Sequence, residues 1–207
     1  MLSHIFCCIF LFHILLRIRA LYKKRCNKLF QNVASNVVCY MVNGGINMST
    51  AQPIRNIDEL EAFRRFYLDN EPNLRNYALI CLGVNSALRI SDLLELRWKD
   101  VYDIKEKHFR KHLVTTEKKT GKETRIAINK STRKGLSRYM ESLDDVTGEG
   151  YIFPGRYNNT ALSRSQAFRI IKHAADILNL ENGISCHSMR KTFGYYAWKC
   201  GTPPAIF

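Results

Sequence analysis

The chain has 207 residues, 46% of them hydrophobic and 24% charged, which is room for one good-sized domain, or one domain plus an arm, and not for several. Its 32 Lys and Arg against 18 Asp and Glu leave a formal +14, an excess that favours a polyanionic partner, nucleic acid being the commonest. Its seven cysteines form no C-x-x-C and no zinc-finger spacing, which excludes that class of metal site and points to buried thiols in a reducing compartment.

Residues 1–47 carry six bases and no acid, so the remainder keeps 26 bases against 18 acids, a formal +8. The basic character therefore survives removal of this arm. The apolar run Ile5–Leu16 is too short for a comfortable membrane span, which needs about 20 residues. Its positive charges follow it and it has no small-residue cleavage site, so it is a poor signal peptide. A single anchoring helix is the alternative reading. Gly44-Gly45 precedes Met48-Ser49-Thr50, and a Gly-Gly pair is encoded by a purine-rich run resembling a bacterial ribosome-binding site. The expectation is a start at Met48, with 1–47 a non-native or disordered arm and 48–207 the domain.

Beyond the arm, periodicity predicts a helix over 57–70 with Leu60, Phe63, Phe66 and Tyr67 on one stripe. Asn73 caps a second helix to Asn85, with Tyr77, Ile80, Cys81 and Val84 inward. Ser91 reads as the cap of a short helix through Arg97, with Asp92 in its first turn. The period then changes: 109–116 and 124–128 are strand-like, joined by a basic tip at Lys118-Lys119-Thr120-Gly121-Lys122. Ser131 reads as the cap of a helix bearing Leu136, Tyr139, Met140 and Leu143. Residues 151–154 form a short extended piece. Ser163 caps a longer helix with Phe168, Ile171, Ala175 and Leu178 inward, and Asn182-Gly183 breaks it. The last helix carries His187 and runs to about Trp198, where Gly201 and Pro203 end it.

The chemistry concentrates in Arg89, in the basic hairpin tip and in His187-Ser188-Met189-Arg190. A His and an Arg at i, i+3 share one helix face. Two arginines and a histidine that converge would form a fork of donors around one phosphate, and guanidinium suits this by meeting phosphate oxygens bidentately at constant charge. The bland readings are a surface ion pair of Arg89 with Asp92 or Glu95, and a solvent-facing His187 at a helix start. Cys186 beside His187 is not read as a nucleophile, because adjacent helix residues point apart.

Arg89, basic hairpin and H-x-x-R stand in the order of the tyrosine recombinase (phage integrase) catalytic domain. The resemblance covers roughly residues 55–207. Ala87-Leu88-Arg89-Ile90-Ser91-Asp92-Leu93-Leu94-Glu95-Leu96-Arg97 resembles the family's first-arginine box. Lys119-Thr120-Gly121-Lys122 followed by Arg125-Ile126-Ala127-Ile128 resembles its lysine-bearing hairpin, and His187-Ser188-Met189-Arg190-Lys191-Thr192-Phe193 its H-x-L-R-H-T-F box, with Met for Leu and Lys for His. The resemblance implies an α+β fold, mainly helical with a small antiparallel β-hairpin sheet. It implies that Arg89 and Arg190 grip a scissile phosphate and that Lys119, in preference to Lys118 or Lys122, protonates the leaving oxygen. His187 would assist proton transfer or bond the phosphate, and Asp92 would orient Arg89 from behind.

By the same resemblance no cofactor or metal is needed, the partner is double-stranded DNA bound in an oligomeric synaptic complex, a membrane is not expected, and the setting is the bacterial cytoplasm and its nucleoid. The family's nucleophilic tyrosine lies downstream of H-x-x-R, at positions that would fall past Phe207. The expectation is therefore a short, single-domain recombinase truncated at its C-terminus, with no nucleophile in the chain and Tyr195 and Tyr196 as packing residues. The rival reading is a non-catalytic DNA-binding remnant or regulator that keeps the phosphate grip.

Overall fold

The computed structural model describes residues 51–116, 123–157, 160–180 and 183–202. The expected arm at 1–47, the Met48 start, the hairpin tip with Lys118, Lys119 and Lys122, and Pro203 lie outside these residues. Helix α1 spans Ile57–Asp69 and α2 spans Leu74–Val84. Each begins behind an asparagine whose side chain accepts a backbone N–H, Asn56 from Asp58 and Asn73 from Asn76, which satisfies donors the first helical turn leaves open. The predicted stripe Leu60, Phe63, Phe66 and Tyr67 is buried.

Helix α2 is buried on every face, with Asn76 through Val84 all inaccessible. The sequence suggests a single inward stripe; the structure instead places this helix at the centre. One apolar cluster joins Ala78, Leu79 and Leu82 to the later hairpin and helices, and another joins Tyr77, Ile80, Cys81 and Val84 to α1 and the C-terminal helices. A helix apolar all round has to sit between two layers.

Helix α3 is short, Ile90–Leu94, and α4 is a single turn, Trp98–Val101. This corrects the expected continuous helix to Arg97 and its Ser91 cap. Arg89 holds the cap position in extended backbone. The helix ends early because Leu96 accepts a bond from the Ile152 N–H and Arg97 bridges Tyr151. Pairing with the extended 151–154 piece outcompetes one more helical turn.

The strand expected over 109–116 is divided. Strands β1 (Tyr102–Asp103) and β2 (His108–Phe109) form one antiparallel pair; β3 (His112–Thr116) and β4 (Glu123–Ala127) form the predicted hairpin. Arg110 interrupts the run because its N–H bonds the Val101 carbonyl and its Nε the Lys99 carbonyl. In β3–β4, Leu113 opposes Ile126 on the core side and Val114 opposes Arg125 on the outer side, the two-residue alternation of a half-buried sheet.

Helix α5 is Lys130–Glu141, capped by Asn129 rather than Ser131. The Ser131 hydroxyl accepts from Arg64 at 2.5 Å, and Asn129 receives the Thr132 N–H at 2.8 Å. Helix α6 is Arg164–Ile177, with Ser163 and Gln166 capping each other's backbone. Ile171 and Ala175 face inward as predicted, but Phe168 is 46% exposed, a correction, since it lines a surface cavity instead. Helix α7, Cys186–Lys199, closes the domain. Gly183 at φ 98 and Gly201 at φ 95 flank it, in backbone that residues with a Cβ adopt at a cost. Among the described residues no helix is long and apolar enough to cross a membrane.

Candidate phosphate-binding site

Helix α7 is oriented by its buried stripe. Ser188, Met189, Thr192, Phe193 and Ala197 are all inaccessible. His187 and Arg190 lie off that stripe, His187 exposed and Arg190 half-buried. The start of the helix is fixed by Ser188, whose Oγ accepts the Ser185 N–H and donates to the Gly183 carbonyl, each at 3.0 Å. The chain before α1 straps the helix from the other side. Lys191 Nζ donates to the Ala51 carbonyl at 2.8 Å, the Ile54 N–H to Thr192 Oγ1 at 2.9 Å, and Tyr196 Oη to the Arg55 carbonyl at 3.0 Å.

Arg89 is half-buried at the head of α3. Its carbonyl accepts the N–H groups of Asp92 and Leu93 at 3.0 and 2.9 Å, while Leu88 and Leu93 are buried around it. One contact ties the two arginine-bearing segments together. Gly83 of α2 faces Met189 so closely that a Cβ there would stand 2.5 Å from its Sδ and 3.7 Å from Leu93 Cδ1. Met189 adjoins Arg190, and Leu93 lies one helical turn beyond Arg89. The packing point thus adjoins the residue before Arg190 and one a helical turn after Arg89. Asp92 sits in the first turn of α3, its Oδ1 3.3 Å from Ser91 Oγ. Lys119 falls between β3 and β4, outside the described residues.

His187 opens onto a cavity of about 600 Å3 lined also by Arg164, Ser165, Phe168, Arg169 and the start of α7. No carboxylate is among its described lining residues. The N-terminal ends of two helices of 14 residues meet here, each adding partial positive charge from unpaired N–H groups. Arg164 and Arg169 were not singled out by the sequence. The available signal is that α6 opens on an arginine with no acid in its first turn, the reverse of what the helix dipole favours. Phe168, outward on α6, adds apolar surface to the lining of this cavity.

The thiol of Cys186 is pushed up by burial, which removes thiolate and with it nucleophilic character. Tyr196 is held by its Arg55 bond, and burial likewise raises its phenol. Tyr195 packs edge-on against Tyr196 and tilted against Trp198.

A mainly helical domain with small antiparallel strand pairs defines the fold class. Residues 56–205 match the phage integrase family, and the chain belongs to it. It is 37% identical over 152 residues to the "Probable integrase/recombinase YoeC" of Bacillus subtilis (strain 168), covering 73% of this chain and 77% of that protein. The fold is that of XerA recombinase, with a TM-score of 0.58 at 19% identity over 78% of this chain and 56% of that one. A lambda integrase dimer bound to a COC′ core site gives a TM-score of 0.54 at 19% identity, covering 73% of this chain and 42% of that one. The chain thus spans about half the length of the solved recombinases it matches.

Proposed function

We propose that the chain supplies the phosphate grip of a site-specific recombinase on duplex DNA, at which a tyrosine other than Tyr195 and Tyr196 attacks the scissile phosphate as the 5′ oxygen leaves. The observation that carries this reading is the cavity at His187, where Arg164, Arg169 and two helix N-termini come together with no carboxylate among the described lining residues. Such an assembly is complementary to phosphate. In this reading Arg89 and Arg190 hold the non-bridging oxygens and stabilise the charge that develops in the transition state. His187 donates to the phosphate or passes its proton, Asp92 orients Arg89, and Lys119 protonates the leaving 5′ oxygen. The cations are side chains, so the chemistry asks for no metal or cofactor.

The same proposal assigns the domain to residues 48–207, oligomerisation to copies bound on DNA, and the setting to the bacterial cytoplasm at the nucleoid. It gives Tyr195 and Tyr196 structural roles. The Tyr196 hydroxyl's bond to the Arg55 carbonyl and the packing of Tyr195 against Tyr196 and Trp198 support structural roles over in-line attack. The solved lambda integrase relative is a dimer bound to its core site, which supports a DNA-bound oligomer here.

The test is duplex binding across a salt series, then incubation with a nicked suicide substrate and a denaturing gel. Binding should weaken with a log–log slope of about 0.9 per phosphate neutralised, and a slope near zero would remove DNA as the partner. Arg89→Ala and Arg190→Ala should each weaken duplex binding and slow any strand cleavage that the gel detects. Loss of one such donor costs on the order of 3–4 kcal/mol in the barrier. A covalent adduct lost in Tyr195→Phe or Tyr196→Phe would overturn the roles given to those residues.

A further inference from the structure

A second basic concavity lies away from the His187 cavity and shares no lining residue with it. It encloses about 470 Å3 against the outer face of the β3–β4 hairpin, walled by α4 and the segment after β2. Four lysines and arginines, two histidines and Val114 line it against one carboxylate, Asp100. That carboxylate is already committed, its Oδ2 accepting the Arg97 N–H at 2.8 Å at the start of α4.

The hairpin's register explains why the charge collects here. Leu113 and Ile126 face the core at 0% and 5% exposure. Their neighbours His112, Val114 and Arg125 therefore point outward, with Val114 directly opposite Arg125. Val114 is 44% exposed and offers apolar surface along which the arginine stem can lie. Lys99 pairs with Glu149 at 2.8 Å and Arg110 with Asp103 at 3.3 Å. The described ion pairs at this wall stop there; none engages Lys111, His112 or Arg125. Lys111 and Arg125 stand beside Lys99 and Arg110, whose acids offset only part of the positive charge, and a bound polyanion relieves the repulsion that is left.

We propose that this outer hairpin face binds the sugar–phosphate backbone of duplex DNA, at phosphates other than the one assigned to Arg89 and Arg190. The inference rests on the DNA reading above and adds a second contact surface to it. The chemistry recognised is phosphate, and the layout favours a polymer over a free ion. Lys99, Arg110, Lys111 and Arg125 are all exposed and come from three separate stretches of chain, so they form an open track rather than a closed pocket of convergent donors. A DNA strand presents one charge per about 3.4 Å of axis, which an open track of cations can follow.

The experiment uses the 207-residue chain and a random-sequence duplex, with filter binding over a potassium chloride series. Wild type, Lys111→Gln/Arg125→Gln and Arg190→Ala are compared, with thermal melting of each. Both substituted groove residues are exposed, so the melting temperature should not move; Lys111→Gln alone serves as a milder second variant. The groove variant should lower the salt slope by about 1 to 2, at about 0.9 for each phosphate it no longer neutralises. Arg190→Ala should retain the groove's share of the slope. Unchanged slope and affinity in the groove variants, with a steep wild-type slope, would overturn this inference and leave the DNA reading standing. A flat wild-type slope would overturn both. Displacement of the duplex by millimolar inorganic pyrophosphate from wild type but not from the groove variant would show a small-phosphate site and refute a backbone track.

Discussion

The contact between Gly83 and Met189 makes a quantitative prediction about how α2 and α7 pack beneath the proposed phosphate grip. A Cβ at position 83 would sit 2.5 Å from Met189 Sδ and 2.8 Å from its Cε, about 1 Å inside ordinary van der Waals separation. Met189 is 3% exposed, so its thioether has no solvent to retreat into. Gly83→Ala alone gains about 1 kcal/mol of helix propensity and loses about 1–3 kcal/mol to overpacking. The net is a loss of about 0–2 kcal/mol, or a fall of up to about 8 °C in Tm at roughly 2–4 °C per kcal/mol. Met189→Ala alone should cost about 2–5 kcal/mol as a core truncation. In that background the added methyl enters vacated space, and Gly83→Ala should become stabilising. The double-mutant cycle by urea unfolding should therefore show a favourable coupling of about 1–3 kcal/mol. Additivity within about 0.5 kcal/mol would refute the claim that these two residues set the α2–α7 spacing. Duplex affinity should fall in Gly83→Ala more than its stability loss alone accounts for, because Arg190 is bonded to the displaced residue.

Two further outcomes follow from the core and the caps. Burial pushes the phenols of Tyr67 and Tyr77 up to about 12, so the folded state holds these protons more tightly than the unfolded chain does. Their contribution is fully present below about pH 10, the free phenol's value, and drains away as pH rises toward about 12, at about 1.4 kcal/mol per pH unit for each group. Tyrosinate absorbance and circular dichroism should report alkaline unfolding in that window, and Tyr67→Phe should weaken its pH dependence; early ionisation of both phenols in folded protein would contradict their burial. Ser163→Ala removes the cap bond to the Gln166 N–H and should cost about 0.5–2 kcal/mol; a change smaller than a few tenths would mean that Gln166 alone holds the start of α6.

Much of the fold is legible in the sequence where one local signal faces no competitor. The stripe on α1 and the caps at Asn73 and Ser163 are such cases, and each is found as read. The readings that differ involve residues claimed by a distant partner. Ser131 looks like a cap, but its hydroxyl accepts from Arg64 on α1, and the neighbouring Asn129 takes the capping role. The helix after Arg89 looks longer because nothing local marks Leu96 as a partner for Ile152. The β1–β2 pair leaves no periodic trace in strands of two residues, and its turn passes through Lys107 at φ 49 with no glycine to announce it. For the candidate site, the sequence marks Arg89, His187 and Arg190 by residue type and order, and the structure has Arg89 and Arg190 half-buried and His187 exposed at a cavity. Gly83, which lets α2 meet Met189, is not marked, because a glycine inside an apolar run carries no sign of what it faces. Arg164 and Arg169 are missed because the α6 pattern is read for its buried face, which leaves Phe168 misassigned to it.

The distribution of charge at helix starts leads to a last prediction with opposite signs for the free and bound protein. Helix α1 follows the dipole rule, with Asp58 and Glu59 in its first turn. Helices α5, α6 and α7 have no acid there, and α5 and α6 open on Lys130 and Arg164. A cation at a helix N-terminus is unfavourable by about 0.3–1 kcal/mol, and the chain's formal +14 adds general repulsion. Salt screens both effects, with a Debye length of about 10 Å at 0.1 M. Raising potassium chloride should therefore raise the Tm of the free protein, by a few degrees if about 1 kcal/mol is relieved. The same salt should weaken duplex binding, since it competes with the protein for phosphates. At fixed saturating duplex the Tm should therefore fall with salt and meet the free-protein curve where binding is lost. A free-protein Tm that drops as salt rises would mean that ion pairs such as Lys99–Glu149 and Arg65–Asp69 outweigh the repulsion among the cations, and that the basic surface is electrostatically settled without a polyanion.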